Sequence, residues 1–354
     1  MRFTRFGAGG RGERDHHRGA RARCGGRGRA QGFYNMRGGP LTAAASAGAS
    51  AAVGFTLANE IFRRRMLTRH GVVTSLFKYA RMRFYLQGGW NRLLLLSDFD
   101  RTITTAACGT SCHGVVESCQ ELSSEYRAAT KKLFEHYYPI ETSATMTRQE
   151  KIPIMQQWYH KAHTLLLAEP FTPQLLDSAA LKSKAELRPG CEELFALAEA
   201  NGAPLIVYSA GLGNVVQALL RHRLPADAAA GVDELPVVSN WLRFDERDVV
   251  VGFSEPLLHM FNKDGTFVKA QLKDRWPRLA AGRSVCLLLG DGLGDATMAD
   301  GLESDLSVVL KIGFLNETDP ERVAARLPAY EKAFDAVVLG DRSFEWVLEL
   351  LRGL

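Results

Sequence analysis

Two carboxylates stand two residues apart at the end of an apolar run, since Asp98 and Asp100 follow Leu93–Leu96. Acids this close repel each other unless a cation lies between them, and Mg²⁺ takes oxygen ligands of this kind. One aspartate can then attack phosphorus, while the other passes a proton to the leaving oxygen. For this motif alone, a strand end followed by an Asx turn is the alternative interpretation.

A second acidic motif, Gly290-Asp291-Gly292-Leu293-Gly294-Asp295, follows the apolar run Ser284–Leu289. Two carboxylates four residues apart in a glycine-rich turn suit metal coordination. The first, Asp291, can be a direct ligand, and the second, Asp295, can orient the loop. An acidic loop without a ligand is the alternative.

Two further motifs suit phosphate chemistry. Ser209-Ala210-Gly211 follows Pro204–Tyr208, and a hydroxyl with backbone N–H groups at a helix N-terminus cradles phosphate. Lys263 can neutralise charge on a transferred phosphoryl group. Each signal is weak alone, because such turns and surface lysines are common. All four in this order, three of them at strand ends, make independent coincidence improbable.

The elements that must position these residues alternate along the chain after about residue 90. Five apolar runs read as strands: Leu93–Leu96, Pro204–Tyr208, Ser284–Leu289, Ser307–Leu310 and Ala336–Leu339. Helical patterns lie at about 190–201, 213–223, 295–302, 319–333 and 342–352. This alternation predicts an α/β fold with a Rossmann-like parallel sheet and helices on both faces. Ligands of such sheets bind at the carboxyl ends of the strands, where the motifs fall.

The stretch 112–187 breaks the alternation and predicts an all-helical cap inserted after the first strand. Within it, Glu117–His136 and Arg148–Leu167 carry apolar residues at helical spacing. The predicted division is therefore an extension at 1–84, an α/β core at 85–111 and 188–354, and a helical cap at 112–187.

The net charge of +5 is a local property of the first residues. Residues 1–40 hold ten arginines and two acids, so residues 41–354 carry −3. This balance does not support a nucleic-acid-binding surface over the whole protein, and no nucleic acid is expected to bind the folded part. Arginine and glycine dominate residues 1–40, which predicts disorder. Three interpretations of the extension stay open: an organelle-targeting leader, a weak membrane anchor over 41–59, or a segment without function. A membrane partner is not expected.

The cysteines show no disulfide framework, and free thiols in a reducing compartment are the expected state. The six are Cys24, Cys108, Cys112, Cys119, Cys191 and Cys286. A zinc site from Cys108, Cys112, His113 and Cys119 is a weaker alternative, because their spacing matches none of the common zinc patterns.

The four motifs together resemble the signature of the haloacid dehalogenase-like phosphatases. Further strings resemble the cytosolic 5′-nucleotidase III (pyrimidine 5′-nucleotidase) family over roughly residues 85–354: His136-Tyr137-Tyr138-Pro139-Ile140-Glu141, Tyr208-Ser209-Ala210-Gly211, Val238-Ser239-Asn240, Thr297-Met298-Ala299-Asp300-Gly301 and Lys311-Ile312-Gly313-Phe314-Leu315-Asn316. Residues 105–116 show no match, and Arg101 and Gly292 occupy variable positions.

The resemblance implies a role for each matched residue. Asp98 would be the nucleophile that forms an aspartyl-phosphate, and Asp100 the general acid and base. The Mg²⁺ ligands would be Asp98, the Asp100 carbonyl and Asp291. Asp295 would support the metal site, and the phosphate would be held by Ser209, Ala210 and Lys263. Glu141, on the cap, would recognise the nucleobase, and Trp158 and Tyr159 are candidates for stacking on it.

The function that this resemblance implies is Mg²⁺-dependent hydrolysis of nucleoside 5′-monophosphates, either CMP and UMP or 7-methyl-GMP, in the cytoplasm. Organelle targeting by the arginine-rich leader stays open. The alternatives are a phosphatase acting on a non-nucleotide monoester such as phosphoserine, and a non-catalytic scaffold whose arginine-rich segment is the active part. Neither the base preference nor the oligomeric state follows from the sequence.

Overall fold

The computed structural model describes residues 41–143 and 145–354, with side chains from Phe55 onwards. The chain divides into two compact units, residues 1–51 and 52–354. The second unit contains the motifs described above. The predicted disorder and leader of residues 1–40 lie outside the described residues.

A seven-stranded sheet forms the centre of the second unit, in the order β1-β9-β8-β7-β2-β3-β4. Its strands are β1 (Val72–Val73), β2 (Leu93–Ser97), β3 (Leu205–Leu212), β4 (Val237–Asn240), β7 (Val285–Gly290), β8 (Val308–Leu315) and β9 (Ala336–Leu339). All neighbours run parallel except β1 against β9. A separate antiparallel hairpin joins β5 (Leu242–Phe244) to β6 (Val250–Phe253). The predicted α/β fold with a mostly parallel sheet is confirmed.

Both faces of the sheet are buried, which explains why its strands read as continuous apolar runs. In β2, Leu93 and Leu95 point into one hydrophobic cluster, while Leu94 and Leu96 point into the other. All four side chains are buried. Side chains alternate across a strand, so β2 lies at the centre of two cores and its carboxyl end is rigidly held.

Helices cover the sheet and form the insert. They are α1 (Leu41–His70), α2 (Leu76–Leu86), α3 (Cys112–Glu117), α4 (Ser124–Glu141), α5 (Arg148–Leu167), α6 (Pro173–Lys182), α7 (Cys191–Ala200), α8 (Gly213–Arg223), α9 (Ala226–Ala229), α10 (Gly265–Gln271), α11 (Trp276–Ala280), α12 (Pro320–Ala333) and α13 (Glu345–Leu351). Local capping sets several boundaries. At α5, Thr147 accepts from the Glu150 backbone N–H while the Glu150 carboxylate accepts from the Thr147 N–H.

The insert contains four helices, α3 to α6, between β2 and β3. The last of them, α6, is attached to the core helix α8: His222 Nε2 lies 2.9 Å from Asp177 Oδ1, and Arg223 donates to the carbonyls of Ala180 and Ser183. The division of the insert into a separate cap domain therefore remains a prediction.

The structure differs from the sequence predictions at several places, and the predicted helix Glu117–His136 is divided between α3 and α4. The predicted extension 1–84 ends too late, because Val72 and Val73 pair with β9 and Met82 of α2 is fully buried in the core. The predicted helix at 295–302 is a 3₁₀ turn, Leu293–Thr297. Strands β1, β4, β5 and β6 were not predicted, since they have two to four residues each and too few apolar positions to show a period. Within the described residues, every helix is too short or too polar to cross a bilayer.

Candidate active site

Three carboxylates converge at the carboxyl edge of the sheet. Asp98 follows β2 and Asp291 follows the neighbouring strand β7, and the two strand ends are joined by the Asp98 N–H, which donates to the Leu289 carbonyl over 2.9 Å. One carboxylate oxygen from each of Asp98, Asp291 and Asp295 lies within 4.8 Å of the others. In the part of the chain that the structure describes, this is the single group of three such residues with metal-binding spacing.

Lys263 lies in the middle of this cluster. Its Nζ donates to Asp98 Oδ1 over 2.5 Å and to Asp295 Oδ1 over 2.8 Å. The residue is only 2% exposed, so it is no ordinary surface lysine. Burial acts to lower the pKa of Lys263, but the carboxylates of Asp295 and Asp98 outweigh it and hold that pKa above its usual range. A permanently charged ammonium therefore lies beside Asp98.

The carboxylates nevertheless exceed the positive charge around them. Burial raises the pKa of Asp98 to about 7, with Lys263 opposing the rise and Asp295 adding to it. Burial and the charges of Asp98 and Asp295 raise the pKa of Asp291 well above its usual range. The buried Asp98 Oδ2 has no hydrogen-bond partner among the described residues. An unpartnered carboxylate oxygen in an all-oxygen donor set fits a hard divalent cation such as Mg²⁺.

The glycines of the loop after β7 allow this convergence. A Cβ on Gly290 would lie 2.3 Å from the Asp295 Cβ, and one on Gly294 would lie 2.9 Å from the Met260 carbonyl oxygen. The Gly292 N–H donates to Asp295 Oδ2 over 2.8 Å. Both oxygens of Asp295 are thus engaged, one by the loop and one by Lys263, and Asp295 links the two.

Asp100 connects the site to the insert. Its Oδ1 accepts from the backbone N–H of Cys112, the first residue of α3, over 2.9 Å. Burial raises the pKa of Asp100, and the bond from Cys112 opposes that rise. The Asp100 carboxyl is not part of the three-carboxylate cluster, although the resemblance assigns its backbone carbonyl to the metal.

Ser209, Ala210 and Gly211 lie inside β3, which runs to Leu212, and not in a turn at a helix N-terminus as the sequence predicted. Helix α8 begins only at Gly213. The strand is irregular here, because its register against β4 shifts between Tyr208 and Leu212. The Gly211 N–H turns to the Ser209 hydroxyl over 3.0 Å, and Asn240 Nδ2 donates to the Ala210 carbonyl over 3.0 Å. Side chains thus satisfy the backbone groups that leave the ladder.

A buried arginine that sequence reasoning missed supports the loop after Asp100. Arg188 Nη2 donates to the Arg101 carbonyl over 2.5 Å and its Nε to the Thr102 carbonyl over 2.6 Å. Asn316 Nδ2 also donates to the Arg101 carbonyl, over 2.8 Å. Arg101 has φ 63, a left-handed conformation that costs a non-glycine residue about 1–2 kcal/mol. This clamp offsets the cost and fixes the turn beside the two aspartates.

On the side away from Arg101, the Arg188 guanidinium contacts the loop that contains Asp341 and Arg342. It pairs with Asp341 over 3.2 Å, donates to the Arg342 carbonyl, and lies 4.5 Å above the ring of Phe314. The available signal was the Arg188-Pro189-Gly190 string that opens the return to the core, together with Asn316 at the end of a string that resembles the family.

Glu141 is the last residue of α4. Burial raises its pKa to about 7, and the charges of Arg101 and Lys151 oppose the rise. The charges of Asp291, Tyr138 and Asp100 oppose the effect of burial and raise the pKa of Arg101. Arg101 therefore interacts electrostatically both with the carboxylate cluster and with the end of α4, where Tyr138 and Glu141 lie. Nothing in its variable sequence position indicated this.

The two aromatic residues proposed for base stacking have different surroundings. Trp158 stacks on Tyr137 with ring centroids 5.6 Å apart. Tyr159 meets His113 edge to face at 5.4 Å, and Glu141, Asp100 and Asp98 all contribute, after burial, to raising its pKa. Tyr159 therefore lies nearer to the carboxylates. Among the described residues, the cysteine and histidine of the alternative zinc site form no metal-spaced cluster, and Cys108, Cys112 and Cys119 are free thiols.

A parallel sheet with two neighbouring acidic strand ends, a buried lysine between them and a helical insert defines the class of haloacid dehalogenase-like phosphatases. The family model described as pyrimidine 5′-nucleotidase (UMPH-1) matches residues 99–354. The chain belongs to this family, and its predicted enzyme class, a phosphoric monoester hydrolase of the 5′-nucleotidase type, is confirmed.

Individual relatives agree with this membership. A 7-methylguanosine phosphate-specific 5′-nucleotidase of Gallus gallus is 32% identical over 75% of this chain and 88% of its own length. One from Drosophila melanogaster is 34% identical over 74% of this chain and 79% of its own length. The crystal structure of cytosolic 5′-nucleotidase IIIB bound to cytidine superposes with a TM-score of 0.70 and 32% identity, over 81% of this chain and 95% of that one.

Proposed function

We propose that this chain hydrolyses the nucleoside 5′-monophosphates CMP, UMP and 7-methyl-GMP to nucleoside and phosphate, with Mg²⁺ as cofactor. The observation that carries the proposal is the buried Lys263 between Asp98 and Asp295, beside Asp291. Two of the relatives are named for 7-methylguanosine phosphate and a third was solved with cytidine, which supports a nucleotide substrate.

Asp98 is the proposed nucleophile. Its carboxylate attacks phosphorus, the ester P–O bond breaks, and Asp100 gives a proton to the departing 5′ oxygen. Water then attacks the aspartyl-phosphate, Asp100 takes the proton from that water, and phosphate leaves. Lys263 holds Asp98 in place and neutralises charge on the phosphoryl oxygens. Ser209 and the Ala210 backbone are the proposed remaining phosphate contacts.

A divalent cation would be held by Asp98 and Asp291 with the Asp100 carbonyl, and Asp295 would keep the loop and Lys263 in position. When bound, Mg²⁺ supplies positive charge that offsets repulsion between the carboxylates and the phosphate. The excess of carboxylate over ammonium in this cluster supports this proposal. The resemblance to the family implies the same cofactor.

Glu141 is the proposed base-recognition residue. Its pKa of about 7 lies near neutral pH, so its carboxyl can be protonated or ionised there. The protonated form presents a donor and an acceptor to a base edge, and the ionised form presents two acceptors. A positively charged base such as 7-methylguanine favours the ionised form, whereas a neutral pyrimidine accepts either. Tyr159, with its electrostatic proximity to Glu141 and the aspartates, is the better placed of the two proposed stacking residues.

Phosphate release from CMP, UMP, 7-methyl-GMP, AMP, GMP and phosphoserine, each with Mg²⁺ and with EDTA, tests the proposal. We expect Mg²⁺-dependent release that favours the first three. Asp98→Asn should be inactive, while the matched control Asp305→Asn, at a half-exposed surface pair with Lys269, should retain activity. Release from phosphoserine alone would overturn the proposed substrate. Full activity in EDTA would overturn the proposed cofactor, and an active Asp98→Asn protein would overturn the proposed nucleophile.

A cytoplasmic location is proposed for the same chain, supported by the word cytosolic in the name of its structural neighbour. Targeting to an organelle by residues 1–40 is the competing proposal. Fractionation of cells that express the full chain or residues 41–354 distinguishes the two, since only the full chain would reach an organelle under the competing proposal.

A further inference from the structure

Two phenylalanines project from the outer side of α2. Phe77 is 70% exposed and Phe84 is 67% exposed. They are seven residues apart, which places them on one face of the helix, with Ala80 between them. The opposite face carries the buried Met82 and Leu86. Large exposed apolar side chains grouped on one face mark a contact surface more often than scattered ones do.

The second half of α1 is attached to α2 and lines the same region with positive charge. The rings of Phe62 and Tyr79 lie 5.2 Å apart, and Asn59 Oδ1 accepts from the Leu76 N–H over 2.8 Å. Leu57 and Ile61 of α1 are both 60% exposed. We call α1 from Phe55 onwards, together with α2, the amino-terminal helix pair.

The charge of this region is opposite to that of the core and insert. Residues 41–92 contain eight lysines and arginines and one acid, Glu60. Residues 93–354 contain 26 lysines and arginines and 36 acids. The protein is therefore strongly polarised, with a net charge of +7 on the segment that forms the helix pair and −10 on the core and insert.

Part of this positive charge has no carboxylate partner among the described residues. Arg63 pairs with Glu331, Arg64 with Glu60 and Arg81 with Asp335. Arg65, Arg69 and Arg83 form no ion pair with a carboxylate in the described part of the chain. Arginines without a carboxylate partner among the described residues, on the same helix pair as exposed aromatic rings, suit an anionic partner with an apolar layer behind its charges.

We propose that the amino-terminal helix pair docks on an anionic lipid surface, with Phe77 and Phe84 entering the headgroup boundary. A fluid interface accepts protruding aromatic side chains without a matching pocket, and anionic headgroups attract the arginines. A symmetric contact with a second copy would bring two like-charged faces together, which opposes it.

Sedimentation of the full chain with vesicles tests the apolar part. We expect binding to phosphatidylcholine vesicles that contain phosphatidylserine and little binding to pure phosphatidylcholine. Phe77→Ser/Phe84→Ser should reduce binding at least about tenfold. Leu181→Ser, at an exposed leucine of α6 (56%), is the control and should bind like wild type. Unchanged hydrolysis of CMP by all variants in the absence of vesicles would exclude misfolding.

Charge variants test the electrostatic part. Arg65→Ser and Arg69→Ser should each lower binding about fivefold, and added salt should do the same. Lys131→Ser/Lys132→Ser, on the exposed side of α4, is the charge-matched control and should have no effect. Equal binding by the phenylalanine variant would overturn the proposal and assign the attraction to residues 1–40. Binding of a single-stranded oligonucleotide, with no vesicle binding, would overturn it in favour of a nucleic acid.

Discussion

Replacing Lys263 by methionine removes the ammonium that lies between the buried carboxylates of Asp98 and Asp295. Lys263 is 2% exposed and its Nζ contacts Asp98 over 2.5 Å and Asp295 over 2.8 Å. Methionine has nearly the same length and no charge, so the change isolates the electrostatic contribution. Removing one partner of a buried ion pair typically costs about 3–5 kcal/mol, and we expect Lys263→Met to lose stability in this range when EDTA is present.

The loss should depend on pH in a direction that the site determines. Burial already raises the pKa of Asp98 to about 7, and Lys263 opposes that rise. Without Lys263 the pKa rises further, so the carboxylates bind protons more readily. A carboxyl with a raised folded-state pKa contributes stability below its unfolded pKa and loses it as the pH rises through the folded value. The loss in the free energy of unfolding should therefore be about 3 kcal/mol at about pH 6 and about 5 kcal/mol at about pH 9.

Urea unfolding followed by circular dichroism measures this loss at the two pH values. Lys269→Met is the matched control, because Lys269 Nζ contacts Asp305 Oδ2 over 2.9 Å with both side chains about a third exposed. Exposed pairs contribute about 0–1 kcal/mol, so the control should unfold like wild type. Added Mg²⁺ should restore part of the stability of Lys263→Met, since it supplies the missing positive charge to the same carboxylates.

The activity of Lys263→Met provides a second readout. Loss of one preorganised charge at the phosphoryl group typically lowers kcat by about 10²–10³. The reasoning would be refuted if Lys263→Met in EDTA unfolded at the same urea concentration as Lys269→Met. In that case the cluster would tolerate its carboxylates without the lysine, and the fit of a divalent cation to the site would lose its basis.

Three further predictions concern residues around the cluster. Burial raises the pKa of Glu141 from 4.5 to about 7. Its contribution to the free energy of unfolding is therefore fully present below pH 4.5, where the carboxyl is neutral, and is lost as the pH rises through 7. Glu141→Gln should thus be more stable than wild type by about 1–3 kcal/mol at about pH 8 but not at about pH 5, by urea unfolding; equal differences at both values would contradict this. Arg188→Met leaves buried carbonyls without donors and should lower the free energy of unfolding by about 3–5 kcal/mol. It should also lower kcat more than it raises KM, and kinetics like those of wild type would refute the role of the clamp. Gly290→Ala forces a 2.3 Å contact with Asp295 and should lose about 1–3 kcal/mol and most Mg²⁺-dependent activity, while Gly231→Ala, at φ −89 and with no atom closer than 3.9 Å, should lose neither.

The strands that position the site were predictable because strands buried on both faces consist of continuous apolar residues. Leu93–Leu96 and Ser284–Leu289 were identified in this way, and β2 and β7 are the central pair of the sheet. The acidic residues directly after them could then be assigned to one edge. The short strand β1 escaped, since two valines carry no period and their pairing with β9 is a long-range event.

The details of phosphate and loop geometry were less accessible. Ser209 was expected in a turn and lies in an irregular strand end. There the Asn240 amide donates to the Ala210 carbonyl and the Ser209 hydroxyl accepts from the Gly211 N–H, and these bonds replace the ladder. The clamp of Arg188 on the Arg101 carbonyl joins residues 87 apart in the chain. A local sequence pattern cannot predict such a long-range pairing. The left-handed conformation of Arg101, which depends on this pairing, was therefore not predictable either.

The sequence by itself determined the class of fold and the family, and it named the candidate residues for phosphatase chemistry, since these depend on residue type, order and short-range period. The tertiary structure alone decided that Lys263 is buried between Asp98 and Asp295, that Arg101 interacts electrostatically with Asp291 and Glu141, and that Phe77 and Phe84 are exposed on α2. Each of these is a matter of which distant segments meet and what they exclude from water. Burial and proximity set charge energies and pKa values, and they exist only once the chain has folded.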